Sequence, residues 1–134
     1  MNIFVDTSAL YALVDTNGED YADAAKRWRK ILAEADLIVT SSYVVTEAIA
    51  LLHARFGTSV VRTFVDDVLP PIEIDWADQC THDAAVNALL MFKGKSGPSL
   101  TDCANIEVMR RLRIHTIFAY DKHYIRPGIT VLGG

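Results

Sequence analysis

Short apolar runs, set apart by stretches of helical periodicity, constrain the fold of this chain more than any other feature. Ile3 to Val5, Leu37 to Thr40, Ile72 to Ile74 and Thr116 to Tyr120 are each too short to be helices, and most end at or near an acid or a hydroxyl. A strand with no polar alternation has no solvent face, so both sides of its sheet must be covered. The intervening segments supply that cover, with apolar residues returning every three or four positions. Alternation of this kind predicts one α/β domain over residues 1–134, with a largely parallel sheet between helical layers.

The expected elements follow from local signals. The strand at Ile3–Val5 leads into a short helix over Ser8–Val14, and Asp15 to Asp20, with Asn17-Gly18, forms a turn. Asp20 is expected to cap a helix reaching about Glu34. A strand at Leu37–Thr40 precedes a helix over Ser42–Arg55, which Gly57 closes. The next helix, Thr58–Val68, is stopped by Pro70-Pro71. Ile72–Asp75 is a strand, Trp76 to about Phe92 a helix, and Lys93 to Pro98 a loop. Ser99 opens a helix to Leu112, Thr116–Tyr120 is a strand, and Ile129–Leu132 is an edge strand.

Composition removes several classes. Cys80 and Cys103 stand 23 apart without metal-ligand spacing, and are expected to be two buried thiols in a reducing cytoplasm. No apolar stretch is long enough to span a membrane, and Met1 to Asp6 lacks the basic region of a signal peptide. The net charge of −4 is unlike that of a protein gripping nucleic acid over a long basic face. A nucleic-acid role therefore needs a local basic patch or a bound cation.

The carboxylates suggest a cation. Ligands of parallel sheets bind beyond the carboxyl ends of the strands, and Asp6 and Asp121 follow two such ends. Asp75 follows a third, but it and Asp78 are placed to cap the next helix. Glu47 lies in an apolar helix, flanked one turn away by Tyr43, Val44, Ala50 and Leu51. Such a carboxylate needs a partner, either a distant arginine or a metal. Asp102 fits a capping box with Ser99, and Asn105, one turn on, is placed to add a neutral oxygen. Acids gathered in one pocket repel one another's charge, and a divalent cation relieves that conflict. Oxygen ligands favour Mg²⁺ or Mn²⁺.

Four motifs in order carry a resemblance: Phe4-Val5-Asp6-Thr7-Ser8-Ala9-Leu10, Thr46-Glu47, Ser99-Leu100-Thr101-Asp102-Cys103, and Tyr120-Asp121-Lys122-His123-Tyr124. They resemble the PIN-domain nucleases, and among these the VapC-like toxins of type II toxin–antitoxin pairs. The resemblance runs from Asn2 to about Leu132. It implies a PIN-like three-layer fold, with a mostly parallel sheet flanked by helices on both faces. It also implies a cytoplasmic, Mg²⁺- or Mn²⁺-dependent endoribonuclease, usually homodimeric and restrained by a VapB-like antitoxin. By motif match Asp6, Glu47, Asp102 and Asp121 become catalytic metal ligands, and Ser8 and Thr101 supporting hydroxyls. One departure is Ala119, where such proteins often carry Thr two residues before the last acid.

Among the other residues, Lys93 and Lys95 in the loop before Ser99 are candidates to meet RNA phosphate. The basic clusters Lys26 to Lys30 and Arg110 to Arg113 are expected to be solvated helix faces. His53, His82, His115 and His123 show no ligand spacing, and His123 is expected in a solvent-facing loop. Trp28, Tyr43 and Phe64 are expected in core or dimer contacts. Two rival readings exist. An aspartyl-phosphate phosphatase would want an acid two residues after Asp6, where Ser8 stands. A non-catalytic PIN-like module, whose acidic pocket only engages a partner protein, is separated from the enzyme by metal-dependent turnover of single-stranded RNA.

Overall fold

A computed structural model describes residues 1–134. Its centre is a five-stranded sheet of β1 (Asn2–Val5), β2 (Leu37–Ser41), β3 (Glu73–Asp75), β4 (Thr116–Phe118) and β5 (Thr130–Leu132). The order is β3-β2-β1-β4-β5 and every neighbouring pair is parallel. Ile3, Phe4 and Val5 are all buried, as are Ile38 to Ser41 and Thr116 to Phe118. Successive strand residues point to opposite faces, so continuous burial means that the three central strands are covered on both sides. The all-apolar runs thus meet the environment they require.

Six helices provide the cover: α1 (Thr7–Val14), α2 (Tyr21–Glu34), α3 (Ser42–Phe56), α4 (Thr58–Thr63), α5 (Gln79–Leu90) and α6 (Leu100–Leu112). Phe4, Leu10, Leu52, Phe64, Phe118 and Tyr124 are among the largest side chains of the main core. Trp28 stacks on Phe118 with ring centroids 6.3 Å apart. A smaller cluster of Ala85, Cys103 and Ala104, with Tyr43 against it, joins α5 to α3 and α6. No helix is long and apolar enough to cross a membrane.

Several boundaries move for visible reasons. The helix after β3 begins at Gln79 rather than Trp76, because Asp78 caps it by accepting from the Thr81 N–H at 2.8 Å. Asp75 is not a cap: it accepts at 2.8 and 2.9 Å from one guanidinium nitrogen of Arg111. The helix expected over Thr58–Val68 changes after Thr63 into a wider π turn over Phe64–Val68, which seats the fully buried Phe64. β4 stops at Phe118 because the Tyr120 N–H leaves the sheet for the Ser8 hydroxyl at 2.9 Å. Gly57 closes α3 with φ 88, as its place after the apolar run predicts. Cys103 is buried but Cys80, on the outer face of α5, is exposed, which corrects the expectation of two buried thiols. The arginine clusters are partly paired: Arg27 with Asp23, Arg110 with Glu107 and Arg111 with Asp75.

Candidate functional site

Strand order reverses between β1 and β4, since β2 and β3 lie to one side of β1 and β4 and β5 to the other. At such a switch point the loops leaving the two strands diverge and open a crevice at their carboxyl ends. Asp6 is the first residue beyond β1, and Asp121 lies three residues beyond β4. A cleft of about 1010 Å³ opens there, and Asp6, Glu47, Asp102 and Asp121 all line it. The four acids singled out by sequence therefore share one space, although they come from a strand end, mid-α3, the start of α6 and a loop.

Asp6 does two jobs. One carboxylate oxygen caps α1, accepting from the Ser8 N–H at 3.1 Å and from the Ser8 hydroxyl at 2.6 Å. The other faces Asn105 and Tyr124, at 3.2 and 3.0 Å. Asp102 is divided in the same way. Its Oδ2 completes the capping box with the Ser99 N–H at 2.9 Å, while its Oδ1 lies 3.0 Å from the Tyr124 hydroxyl. Capping and site-building are therefore not alternatives at this residue. A carboxylate has lone pairs for both.

The Tyr124 hydroxyl thus stands between two carboxylates, and it also accepts from the Asn105 amide at 2.8 Å. A phenol has one proton and can donate it to only one acid. The second contact is favourable only if that acid is protonated or a cation is near. Burial, partly offset by the bonds from Ser8 and Tyr124, raises the Asp6 carboxyl above its ordinary value. Burial and the charges of Asp6 and Asp102 push the Tyr124 phenol far upward, so it stays a donor.

Asn105 corrects an expectation. Its oxygen does not face the acids but accepts from the Ser41 hydroxyl at 2.7 Å, and Ser41 in turn accepts from the Val44 N–H at 3.2 Å. Only the NH₂ group is left for Asp6 and Tyr124, and reversing the amide would set a carbonyl against a carboxylate. Glu47 is half-buried on the cleft wall rather than sealed in the core, and no arginine pairs with it. Its partner is the Thr101 hydroxyl, 3.0 Å from Oε2. The Ser8 hydroxyl donates to Asp6.

His123 is the residue that sequence reasoning misplaced. The ring is only partly exposed, and its Nδ1 points inward, 2.9 Å from Asp121 Oδ1 and 3.4 Å from Asp102 Oδ2. That nitrogen is buried yet has no hydrogen bond of acceptable geometry. Asp121 folds the chain back by accepting from the His123 N–H at 2.8 Å, which starts a single 3-10 turn over Lys122–Tyr124. The pattern Asp121-x-His123 at a strand exit was the available signal. Ligand atoms of Asp102, Asp121 and His123 all lie within 4.8 Å of one another, a spacing able to hold a metal ion. An orphaned imidazole nitrogen facing two carboxylates fits such an ion, and the carboxylates beside it suit Mg²⁺ or Mn²⁺. Asp6 and Glu47 stand outside this tightest group, on the same cleft. Lys95 lines the cleft, whereas Lys93 does not.

No curated protein sequence matches the chain. Among solved structures, it is similar to the Mycobacterium tuberculosis VapC20, a Sarcin-Ricin loop cleaving toxin, at 22% identity with a TM-score of 0.80, covering 91% of this chain and 92% of that one. It is also similar to a chain of Rickettsia felis VapBC2 bound to a promoter DNA fragment, with 13% identity, a TM-score of 0.70 and coverage of 98% and 97%. A chain of DNA-bound VapBC from Salmonella typhimurium gives 16% identity, a TM-score of 0.68 and coverage of 98% and 96%. At these identities the likeness speaks for the fold. The PIN domain family profile, by contrast, matches residues 3–129 of the sequence itself. The match takes in both strand ends at the switch point and the four acids singled out by sequence, and the chain belongs to the PIN domain family.

Proposed function

We propose that this chain is a divalent-metal-dependent endoribonuclease, the toxin of a VapBC-type pair, with Asp6, Glu47, Asp102 and Asp121 as its metal-binding acids. The observation that carries the reading is the packing of Asp102, Asp121 and His123 within 4.8 Å, at the mouth of a cleft that Asp6 and Glu47 also line. Like charges so close need a counter-charge, and no lysine or arginine forms an ion pair with any of the four acids. A bound Mg²⁺ or Mn²⁺ supplies Lewis-acid polarisation of a phosphoryl oxygen and a lowered pKa for water.

The protein's part is positioning. Ser8 and the α1 N-terminus hold one oxygen of Asp6, and the other is held toward Asn105 and Tyr124. Tyr124 and Asn105 fix the separation of Asp6 from Asp102, and Thr101 orients Glu47. Lys95 is a candidate contact for RNA phosphate, and Lys93, outside the cleft, is a weaker one. The VapBC neighbours support a VapB-like antitoxin as partner. The exposed Leu90, Met91 and Phe92 at the end of α5 support a homodimer, because apolar side chains grouped on a surface favour burial. The cytoplasm is the compartment that suits RNA as substrate.

The test is cleavage of single-stranded RNA by the purified chain in Mg²⁺ or Mn²⁺. Activity should vanish in EDTA and fall about a thousandfold in Asp6→Asn, a loss matching several kcal/mol of transition-state stabilisation. Wild-type turnover in Asp6→Asn with excess metal would remove the proposal.

A further inference from the structure

Arg55 shares the cleft with the acids but takes no part in the network described so far. It lies on α3 eight residues beyond Glu47, and Leu51, Ala54 and Arg55 continue the cleft wall from that acid. Eight helical residues span about 12 Å, which on a nucleic-acid strand is the reach of a few nucleotides. Its guanidinium lies over two rings, 5.9 Å from the Tyr11 centroid and 5.3 Å from that of Phe56. No carboxylate is within ion-pair distance of it, although Asp15, Glu19 and Asp20 line the same cleft. Arg55 is the one arginine that lines the cleft, and its donors are free.

We propose that Arg55 binds a backbone phosphate of the single-stranded RNA on the α3 side of the acidic centre, which makes it a substrate-positioning residue; this rests on the nuclease reading. A cleft rich in carboxylates repels an incoming polyanion along its whole length, and a metal at the acids offsets that only locally. The strand needs a cation farther along its path. Guanidinium suits the task because its planar fork matches phosphate oxygens, and stacking on Tyr11 and Phe56 fixes the fork before substrate arrives. A preordered cation loses little freedom on binding. Lys95, on the loop between α5 and α6, is a second cation of the cleft, so the two arise from different walls.

The experiment follows the cleavage of a mixed-sequence single-stranded RNA oligonucleotide at fixed Mg²⁺ and increasing NaCl, for wild type, Arg55→Met and Arg55→Lys. Met keeps an apolar stem against Tyr11 and Phe56 without the charge, and Lys keeps the charge without the fork. Arg55→Met should raise KM about fivefold, the upper range for a solvent-exposed ion pair, at unchanged kcat and melting temperature. The slope of log(kcat/KM) against log[salt] should flatten by about 0.7, the value of one single-strand phosphate contact, and Arg55→Lys should restore most of it. An unchanged slope and KM in Arg55→Met overturns the proposal while leaving the nuclease reading intact. So does a fall in kcat alone, or a loss confined to binding of a protein antitoxin. If wild type cleaves no RNA under any metal, the nuclease reading itself has failed. Should Arg55→Met melt early, Arg55→Gln and the lysine variant carry the same slope measurement.

Discussion

The two halves of the acidic cleft are built differently. The inner half, Asp6, Asp102, Asn105 and Tyr124, is buried, and each polar group has several partners drawn from the start of α1, the end of β2, α6 and the 3-10 turn. The outer half, Glu47, Asp121 and His123, is half-exposed, and Glu47 depends on a single hydroxyl while His123 Nδ1 has no hydrogen bond. Buried polar networks cost heavily when one member is removed, whereas half-exposed groups recruit water instead. The contrast teaches that the inner half belongs to the fold as much as to the site, and that in the outer half Glu47 and the His123 ring carry little of the fold.

Among changes in the outer half, His123→Ala has the largest expected effect. Metal affinity and RNA turnover should drop about 10- to 100-fold, as for loss of a group adjoining the metal, with the metal-free melting temperature unchanged. Tyr124→Phe is the matching break of the inner half. It leaves the ring in place but strips a hydroxyl from between two carboxylates and orphans an Asn105 N–H, which should cost about 1–3 kcal/mol. Calorimetry in EDTA checks both. A lowered melting temperature in His123→Ala, or none in Tyr124→Phe, would erase the distinction between the halves.

The same distinction governs what was legible in the sequence. Asp6 and Asp121 were legible because a strand of uniform apolarity has a definite end, and parallel sheets place ligands beyond it. Glu47 stood out as a charge in an apolar helix. Tyr124 carried no such mark: it lies 118 residues from Asp6 and 22 from Asp102, and in sequence it is one more aromatic residue. The direction of the Asn105 amide was equally hidden, since it is set by Ser41, 64 residues away. Arg55 needed Tyr11 on a different helix to reveal its orientation. Local pattern finds where a carboxylate starts, but the partners that hold it come from pairings that only the folded chain defines. The strand lengths shifted for the same reason, as when Ser8 drew Tyr120 out of β4.

A pH series sharpens the comparison within the inner half. In the unfolded chain Asp6 ionises near its ordinary 3.8, and in the folded chain burial delays that ionisation. The folded state therefore binds more protons just above that value, and its stability falls as pH rises through the window, levelling once the folded carboxyl has also ionised. Asp6→Asn removes the titration. In EDTA the melting temperature of Asp6→Asn relative to wild type should climb across this window and then flatten. Added Mg²⁺ should close the gap, because a cation replaces the proton. A difference that stays constant, or that declines with rising pH, would show that burial does not govern Asp6.

The smallest expected effect falls on the outer half, at Thr101→Val. Valine keeps the shape of threonine and removes only the hydroxyl that donates to Glu47 Oε2 at 3.0 Å. Glu47 is half-exposed, so water takes over the lost bond and the fold should lose no more than about 1 kcal/mol. The residue count, charge and cap of α6 are untouched. What changes is the freedom of the Glu47 carboxylate, and under the proposed metal-binding role a ligand that must be ordered on binding holds its ion less tightly. Turnover at limiting Mg²⁺ should therefore drop more than turnover at saturating Mg²⁺. A double-mutant cycle with Glu47→Gln isolates the pair, and the effect of Thr101→Val should disappear once Glu47 is already lost. If it persists in that background, Thr101 acts on something other than Glu47, and the outer half has a connection to α6 that its single hydrogen bond does not explain.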